Sequence, residues 1–385
     1  MLSLILSAIV VLISFDGLKP SQVTPEIAPL FYALKQNGVD AAYMEPSFPA
    51  STFINHASLI TGCTTEEHGI VSNAFIDSKE GEFRMSNDAK WQECEPLWAA
   101  ASRQKIKNAS YVWPMTSGDW HGIKPTYAVE TPTERKKADR FFRHFDNKKE
   151  WGQILDWLKL PEEKRPQLIL GYFPDVDGAG HRFGPEAPQT LNVVKKYDRQ
   201  FAQFLKAAQK LPYYNEIDFV IVSDHGMALG TKPVDTDIIF DPLKVTTTTS
   251  SGTYINFYTK DAQELNATKN FLKKFPQWHV YSADAFPKHW HYNNPRSGNL
   301  VLTVDPPYYL VSQKKLPKKK TFGYHGYDPQ FPEMRAFFAA WGPHFKKTNL
   351  KNIKNIDVAP TIAKILKISF QDKRSGKPIN SILSN

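Results

Sequence analysis

Carboxylate and imidazole side chains follow three separate segments of the chain that have the apolar pattern of buried strands. These positions are Asp16 after residues 8–13, Asp177 and His181 after 167–173, and Asp224 and His225 after 217–222. Ligands of an open α/β sheet bind outside the carboxyl ends of its strands, so we expect these side chains to meet at one edge. Mixed carboxylate and imidazole ligands suit zinc better than manganese or iron. The sequence therefore predicts a metal site at this edge.

Each of these residues, taken alone, also has a purely structural explanation. An Asp that follows a strand, such as Asp16, often forms a turn or caps a helix. Asp177 and His181 are four residues apart, but Gly178 and Gly180 between them disfavour a regular helix. We therefore expect a glycine-rich loop here, in which the four-residue spacing alone is a weak signal.

The remaining ligand candidates depend on tight backbone geometry. Asp224 and His225 are adjacent, and within a strand they would face opposite sides of the sheet. Only a tight turn brings both to one ion, and Gly226 permits such a turn. His325, in the glycine-flanked segment 323–328, is a sixth candidate, although a lone histidine there is ordinarily a surface residue. Three Asp and three His with this placement together favour the metal site.

Thr52 is the candidate nucleophile. Residues 52–61, followed by Gly62, predict a helix with Thr52 as its N-cap and the glycine just past its end. The hydroxyl would then lie at the positive end of the helix dipole among unpaired N–H groups, where phosphate binds readily. A threonine hydroxyl is a weak nucleophile at neutral pH, but coordination to a divalent ion could deprotonate it. The alternative is that Thr52 only caps the helix.

Strands and helices alternate along the whole chain. A first helix is expected to start near Thr24-Pro25 or at Pro29 and to stop at Gly38, and residues 39–43 predict a second strand. A later helix follows the 167–173 strand and its glycine-rich loop. Its apolar residues have helical spacing, and they are Val194, Tyr197, Phe201, Phe204, Leu205 and Ala208. This alternation predicts an α/β fold with a mostly parallel central sheet and helices on both faces, and residues 8–385 as one domain.

Composition and charge exclude several classes of protein. The chain has 385 residues, 41% hydrophobic residues and a formal charge of +9, which excludes general disorder. Two cysteines cannot build a disulfide scaffold, and whether Cys63 and Cys94 pair stays open. No apolar run reaches the roughly 18 residues of a membrane-spanning helix. The basic runs are Arg135-Lys136-Lys137, Lys148-Lys149, Lys314-Lys315 and Lys318-Lys319-Lys320. They are typical of solvated surface, and no nucleic-acid-binding motif accompanies them.

The first residues have two interpretations. Residues 1–13 are apolar apart from Ser3 and Ser7, and no positive charge precedes them. They resemble the end of a signal peptide without its basic region, and residues 8–13 also have the β-branched pattern of a buried parallel strand. Both hold if residues 1–7 are a signal-peptide remnant and the strand is retained. We therefore expect a secreted or periplasmic protein.

Seven motifs in order carry a family resemblance. They are Ser14-Phe15-Asp16-Gly17, the segment 49–56 around Thr52, Thr61-Gly62, the segment 68–73, Asp177-x-x-Gly-His181-x-x-Gly-Pro, the segment 223–227 and the segment 325–328. Together they resemble the nucleotide pyrophosphatase/phosphodiesterase (type I phosphodiesterase) family of the alkaline phosphatase superfamily, over roughly residues 9 to 345. The resemblance implies an alkaline phosphatase-like fold and two zinc ions per chain. It assigns one ion to Asp177, His181 and His325, and the other to Asp16, Asp224, His225 and the Thr52 oxygen.

The resemblance also implies the chemistry and the substrate. Thr52 would attack phosphorus and form a covalent intermediate that water hydrolyses, and Asn73 would hydrogen-bond a non-bridging phosphate oxygen. The substrate would be a nucleotide phosphodiester or pyrophosphate. Phe53 and Trp113 match substrate-binding positions of the family. Its base-stacking tyrosine falls at Glu130, with Tyr127 three residues earlier as a substitute, so we expect weak discrimination among nucleobases.

Two other functions remain open at this point. A phosphodiesterase of lipid head groups such as glycerophosphocholine would use the same site. A non-catalytic basic binding module would have lost metal ligands, whereas all seven metal-site positions are present. No specific nucleic-acid partner is expected.

Overall fold

The computed structural model describes residues 8–132, 146–240, 247–259, 261–312 and 322–384. Residues 1–7, which the sequence suggests as a signal-peptide remnant, and the basic runs at 135–137 and 314–320 lie outside these ranges. Among the described residues, no helix has the length and apolar character needed to cross a membrane.

An eight-stranded sheet forms the centre of the fold. Its strands in spatial order are β19 (Thr348–Leu350), β2 (Val39–Ala41), β18 (Phe338–Trp341), β9 (Ile217–Val222), β1 (Ile9–Phe15), β8 (Leu168–Phe173), β6 (Asn108–Tyr111) and β7 (Tyr127–Val129). Every neighbouring pair is parallel except the two that contain β18, which is antiparallel to both β9 and β2. The mostly parallel sheet is confirmed.

Helices cover both faces of this sheet because strand side chains alternate between two cores. Along β1, Val10 and Leu12 point into one core, and Val11 and Ile13 point into the other. The helices of the described ranges are α1 (Pro29–Asn37), α2 (Thr52–Thr61), α3 (Thr65–His68), α4 (Leu97–Arg103), α5 (Asn147–Leu158), α6 (Asp175–Phe183), α7 (Pro188–Ala208), α8 (Asp237–Phe240), α9 (Ala262–Leu272) and α10 (Val358–Leu366). Helices α2, α4 and α10 contribute to the first core and α1, α5 and α7 to the second.

Five smaller sheets accompany the central sheet in the described ranges. A four-stranded antiparallel sheet has the order β12 (Thr247–Ser250), β13 (Tyr254–Tyr258), β15 (Leu300–Thr303) and β14 (His279–Ser282). The two-stranded pairs are β3 (Met44–Glu45) with β20 (Ile353–Lys354), β4 (Ala74–Asp77) with β5 (Gly81–Arg84), β10 (Ala228–Gly230) with β17 (Phe322–Tyr324), and β11 (Lys232–Asp235) with β16 (Tyr308–Val311). Strand β17 ends directly before His325, so this pair positions that histidine.

The expected first helix begins at Pro29, the later of its two candidate starts, and ends before Gly38. The strand expected at 39–43 is shorter, because β2 ends at Ala41. The six apolar residues predicted on the later helix are all buried on α7.

The glycine-rich loop expected between Asp177 and His181 is wrong, because this segment is the helix α6. Met227 packs directly against Gly180, because a Cβ at this position would lie 2.4 Å from its sulfur. A glycine in a helix interior costs only about 1 kcal/mol relative to alanine, and tertiary packing can outweigh that cost. In the helix, the four-residue spacing places Asp177 and His181 on one face.

Cys63 and Cys94 form a disulfide bond. The bond ties the segment after α2 to the segment before α4. Both cysteines are buried, at 0% and 5% exposure. The pairing left open by the sequence is therefore resolved.

Candidate active site

Two groups of potential metal ligands lie at the carboxyl ends of the central strands. The outer group is Asp177, His181 and His325, and the inner group is Asp16, Asp224 and His225. Within each group the candidate ligand atoms all lie within 4.8 Å of one another. The groups are adjacent, since the rings of His225 and His325 stack with centroids 3.8 Å apart. The structure thus brings all six predicted Asp and His ligands together.

The outer group joins α6 to the segment that follows β17. Asp177 Oδ1 is 3.3 Å from His181 Nε2 and 3.5 Å from His325 Nε2. The two Nε2 atoms are 3.1 Å apart. The His181 side chain is 43% exposed, so this group is open to solvent.

The inner group is fully buried beneath Thr52. His225 Nε2 is 3.1 Å from Asp224 Oδ2 and 3.6 Å from Asp16 Oδ1. The Thr52 hydroxyl oxygen is 3.3 Å from the same nitrogen. The predicted nucleophile therefore adjoins the inner group.

A close turn brings β1 to the other ligand segments. Gly17, directly after Asp16, has φ +72°, and a Cβ there would lie 3.1 Å from the Cα of Asp177. Its N–H donates to Asp224 Oδ1 at 3.0 Å. A side chain at this glycine would push the two ligand segments apart, so the turn requires glycine.

Backbone carbonyls orient all three ligand imidazoles. The Nδ1 atoms of His181, His225 and His325 lie 2.8, 2.9 and 3.1 Å from the carbonyl oxygens of Gly323, Gly226 and Ala50. A carbonyl only accepts, so each Nδ1 carries the proton and each Nε2 presents a lone pair to the group. Metal-binding histidines are ordinarily held in this way.

Each of the three ligand carboxylates keeps one oxygen atom free of hydrogen bonds, as each imidazole presents the lone pair of its Nε2 atom. One oxygen of each, namely Asp16 Oδ1, Asp177 Oδ1 and Asp224 Oδ2, is buried without a hydrogen-bond partner. Tyr172 holds the other oxygen of Asp16 by donating from its hydroxyl at 2.5 Å. Three unpartnered anionic oxygens that face three imidazole lone pairs fit a cation in each group, because buried charges otherwise need a partner. The residues present therefore fit a two-metal site.

Electrostatics in the metal-free protein reflect the crowding of like charges. Burial raises the pKa of Asp16 well above its ordinary value, and the carboxylates of Asp224 and Asp177 raise it further. Burial lowers the pKa of His325 well below its ordinary value, assisted by His225 and His181. Burial alone would raise the pKa of Asp224, but the imidazoles of His225 and His56 lower it. Bound cations would relieve the repulsion between these carboxylates.

Thr52 is the first residue of α2, and the N-cap is Ser51, so the N-cap assignment to Thr52 is wrong by one residue. Ser51 has the extended backbone of an N-cap but makes no capping bond. Asn73 supplies the missing acceptor, because its Oδ1 accepts the Phe53 N–H at 3.1 Å. The Asn73 amide nitrogen is then the donor end of that side chain.

The predicted substrate-binding aromatic residues occupy three different environments. Phe53 is 5% exposed and packs edge-on against Phe83. Trp113 is fully buried behind the site, where its ring contacts His56. Tyr127 begins β7, and its hydroxyl donates to the carbonyl of Lys164, which precedes β8. The structure thus keeps Phe53 beside Thr52 but brings neither Trp113 nor Tyr127 into the metal groups.

Two residues that sequence reasoning missed complete the surroundings of the inner group. Tyr172, one residue before the end of β8, binds Asp16, and His56 lies between Thr52 and Asp224. The position of His56 offered a signal, since it is four residues after Thr52 on the same face of α2. Tyr172 lies within an apolar strand and offered none.

The fold and the two ligand groups define a metal-dependent hydrolase with an alkaline phosphatase-like fold. The profile of the family described as type I phosphodiesterase / nucleotide pyrophosphatase matches residues 10–328. The chain belongs to this family and is an enzyme of the phosphodiesterase class.

Curated relatives cover most of the chain. An uncharacterized pyrophosphatase/phosphodiesterase of Schizosaccharomyces pombe is 30% identical over 389 residues, covering 94% of this chain and 77% of that protein. Bis(5'-adenosyl)-triphosphatase of Xenopus laevis is 28% identical over 388 residues, with 97% and 80% coverage. Venom phosphodiesterase of Naja atra is 30% identical over 380 residues, which cover 93% of this chain and 44% of the venom protein.

Solved structures share the fold. Murine ectonucleotide pyrophosphatase/phosphodiesterase 5 superposes with a TM-score of 0.87 at 24% identity, covering 98% of this chain and all of that chain. The human protein of the same name gives a TM-score of 0.86, also at 24% identity and with the same coverage. The predicted fold class is confirmed.

Proposed function

We propose that the chain is a zinc-dependent phosphodiesterase that hydrolyses phosphodiester or pyrophosphate bonds of nucleotides through a covalent intermediate on Thr52. The observation that carries the proposal is the position of the Thr52 hydroxyl, 3.3 Å from His225 Nε2, beside two groups of buried, unpartnered carboxylate oxygens. Thr52 is itself only 8% exposed. A hydroxyl so placed can be activated by a divalent cation.

Zinc is the metal that the donor set favours, with two ions per chain. The outer group would hold one ion and the inner group, with the Thr52 oxygen, the other. Neutral imidazole nitrogens and single carboxylate oxygens are ordinary zinc ligands. When bound, the ions supply positive charge that lowers the pKa of the hydroxyl and stabilises negative charge on the phosphoryl oxygens.

The residues of the chain supply the rest of the mechanism. The Thr52 oxygen forms a bond to phosphorus, its proton is lost to solvent, and the bond to the leaving oxygen breaks, which leaves a phosphodiester on Thr52. Water then attacks the same phosphorus, restores the Thr52 hydroxyl and releases the phosphomonoester. Asn73 would donate from its amide nitrogen to a non-bridging oxygen, because its carbonyl oxygen is occupied by the Phe53 N–H.

We propose nucleotides as the substrate class because relatives of the chain are named for nucleotide hydrolysis or were solved with a nucleotide. The Xenopus relative is named for hydrolysis of a bis-adenosyl triphosphate, and murine ectonucleotide pyrophosphatase/phosphodiesterase 5 was also solved in complex with AMP. Phe53 would flank the substrate beside Thr52. With Trp113 buried and the Tyr127 hydroxyl bound to Lys164, neither ring is placed to provide a second face, so the proposed base discrimination is weak.

The two other functions have less support. The relatives named above give no specific support for a lipid head-group substrate. A non-catalytic basic module would not need six ligand side chains in two compact groups.

We further propose that residues 8–385 form one catalytic domain. We also propose that the protein is secreted or periplasmic and therefore lies in an oxidising compartment. The start of β13 in the four-stranded sheet adjoins the site: Thr253, directly before the strand, donates to the carbonyl of His325 at 3.0 Å, and the hydroxyl of Tyr254 is 2.8 Å from that of Ser72. The Cys63–Cys94 disulfide supports the compartment, since such bonds are rare in the reducing cytosol.

Replacement of Thr52 tests the proposal. Thr52→Ala should bind zinc and fold normally but lose several decades of kcat on a p-nitrophenyl diester, because it removes the attacking oxygen. Thr52→Ser should keep substantial activity, because it retains a hydroxyl. Thr61→Ala, at the far end of α2, is the matched control and should stay near the wild-type rate. A Thr52→Ala protein that turns over at the wild-type rate would disprove the nucleophile assignment.

A further inference from the structure

One buried histidine outside the metal groups contacts the nucleophile segment and the inner ligands at once. The His56 side chain is 0% exposed. Its Nδ1 is 2.8 Å from the carbonyl oxygen of Thr52 and 3.5 Å from Asp224 Oδ2. Its Nε2 is 2.9 Å from the hydroxyl of Ser14, two residues before Asp16. A single ring therefore links α2, β1 and the end of β9.

The partners fix the direction of each bond. The carbonyl of Thr52 can only accept, so Nδ1 of His56 carries a proton. In the neutral ring Nε2 is then an acceptor, and the Ser14 hydroxyl donates to it. The Nδ1–H also points its positive end toward Asp224 Oδ2.

Asp224 Oδ2 keeps its lone pairs despite this neighbour. At 3.5 Å the oxygen is beyond ordinary hydrogen-bond length from His56, and among the described residues it has no hydrogen-bond partner, its nearest ligand neighbour being His225 Nε2 at 3.1 Å. Its companion oxygen is fixed by the N–H groups of Gly17 and His225, at 3.0 and 2.9 Å. His56 therefore orients this carboxylate electrostatically without occupying the oxygen that a cation would use.

Aromatic rings hold His56 in place. Trp113 and Tyr172 contact it edge-on, with ring centroids 5.1 and 5.0 Å away and interplanar angles of 80° and 88°. Tyr172 is also the residue that donates to Asp16. The imidazole thus has little freedom to turn, and it can transmit a fixed geometry to both neighbours.

We propose that His56 is a positioning residue that sets the geometry of the inner metal group relative to the Thr52 nucleophile. The inference rests on the proposed function, since it assigns a role within that site. Because groups that orient metal ligands typically contribute about 10–100-fold in metal affinity or activity, loss of His56 should weaken one of the two ions and leave the other unchanged.

Substitutions that keep one nitrogen or the other test this role. His56→Asn keeps an N–H donor at the Nδ1 position, His56→Gln moves the donor to the Nε2 position, and His56→Ala removes both. His68→Asn is the matched control, because His68 is another fully buried histidine, bonded to Ser58 and Ile70 and not to a metal group. Zinc affinity is measured on metal-free protein by competition with a chromophoric chelator, alongside kcat, KM and thermal unfolding.

The expected order of inner-site affinity separates positioning from general destabilisation. His56→Ala and His56→Gln should lose about 10–100-fold in affinity for one zinc ion, with a fall in kcat, and His56→Asn should stay near the wild type. His68→Asn should unfold at a lower temperature and keep both zinc affinities. If His56→Ala does not fold, the Asn and Gln variants decide by themselves.

Two results would overturn the inference. One is unchanged affinity for both ions in His56→Gln or His56→Ala, and the other is a His56→Asn protein as weak as His56→Gln. Failure of the proposed function is a different outcome, since the wild-type protein would then bind no zinc or hydrolyse no diester.

Discussion

His68 allows a quantitative prediction of how stability depends on pH. Its ring is fully buried at the end of α3, with Nδ1 accepting the Ile70 N–H at 3.1 Å and Nε2 lying 3.0 Å from the Ser58 hydroxyl. Burial lowers the pKa of His68 from 6.5 to about 3. In the folded protein the ring is therefore neutral at any pH above that value. In the unfolded chain it binds a proton near its ordinary pKa.

The sign of the effect follows from this difference. Above the unfolded pKa neither state binds the proton, so the contribution to stability is fully present. As the pH falls from 6.5 toward 3, only the unfolded chain gains the proton, and stability is lost. Each pH unit in this window costs about 1.4 kcal/mol, so lowering the pH from 7.5 to 5.0 should cost about 2 kcal/mol through His68 alone.

Urea denaturation of metal-free protein at these two pH values measures the effect. His68→Asn retains an oxygen that can accept the Ile70 N–H, but it does not titrate. The wild type should lose about 2 kcal/mol more unfolding free energy than the variant between the two conditions. All other groups are common to both proteins and cancel in the comparison.

A buried substitution that removes no titratable group provides the control. Thr61→Ala should show the same pH dependence as the wild type, because Thr61 is fully buried and does not titrate. If wild type and His68→Asn lose the same free energy on acidification, His68 does not resist protonation and the argument from its burial is refuted.

Three other predictions concern metal, substrate and disulfide. Chelation should abolish diester hydrolysis, and full activity of the metal-free protein would contradict this. Asp16→Asn and His325→Ala should each remove activity and lower the zinc content, measured by elemental analysis, from about two ions per chain. A p-nitrophenyl nucleotide and a simple p-nitrophenyl diester should be hydrolysed within about two decades of each other, with Glu130→Tyr as the comparison variant. A nucleotide preference above about 1000-fold, on the order of 4 kcal/mol, would instead show an intact base pocket. Cys63→Ser should lower the free energy of unfolding by about 3.5 kcal/mol because it opens a loop with a sequence separation of 31; an unchanged denaturation midpoint in urea would contradict this.

The grouping of the candidate metal ligands was predictable because its signal is local. Each buried strand has a continuous apolar pattern, and the ligands follow directly after it, so Asp16 and Asp224 could be placed at the sheet edge without knowledge of tertiary contacts. The same holds for α2, whose end is marked by Gly62 in the left-handed conformation.

The features that were missed depend on contacts between distant segments. Helix α6 contains Gly180 at a point where Met227, from a distant segment, packs against it, and the sequence of the helix itself does not show this contact. Tyr127 could bind substrate only if its end of β7 lay toward the site. The sequence of this three-residue strand does not indicate which end does so. His56 acquires its partners only when α2 packs against β1 and the end of β9.

The antiparallel strand β18 has a consequence for synthesis of the chain. It inserts between β9 and β2, so β2 cannot join the central sheet until the ribosome has made residue 341. Until then β9, one of the strands that present the inner ligands, is left as an open edge with buried-type residues such as Phe219 and Val220. Unpaired apolar edges are prone to pair with other chains. Nascent chains are therefore most exposed to aggregation between the synthesis of β9 and that of β18, an interval of more than a hundred residues.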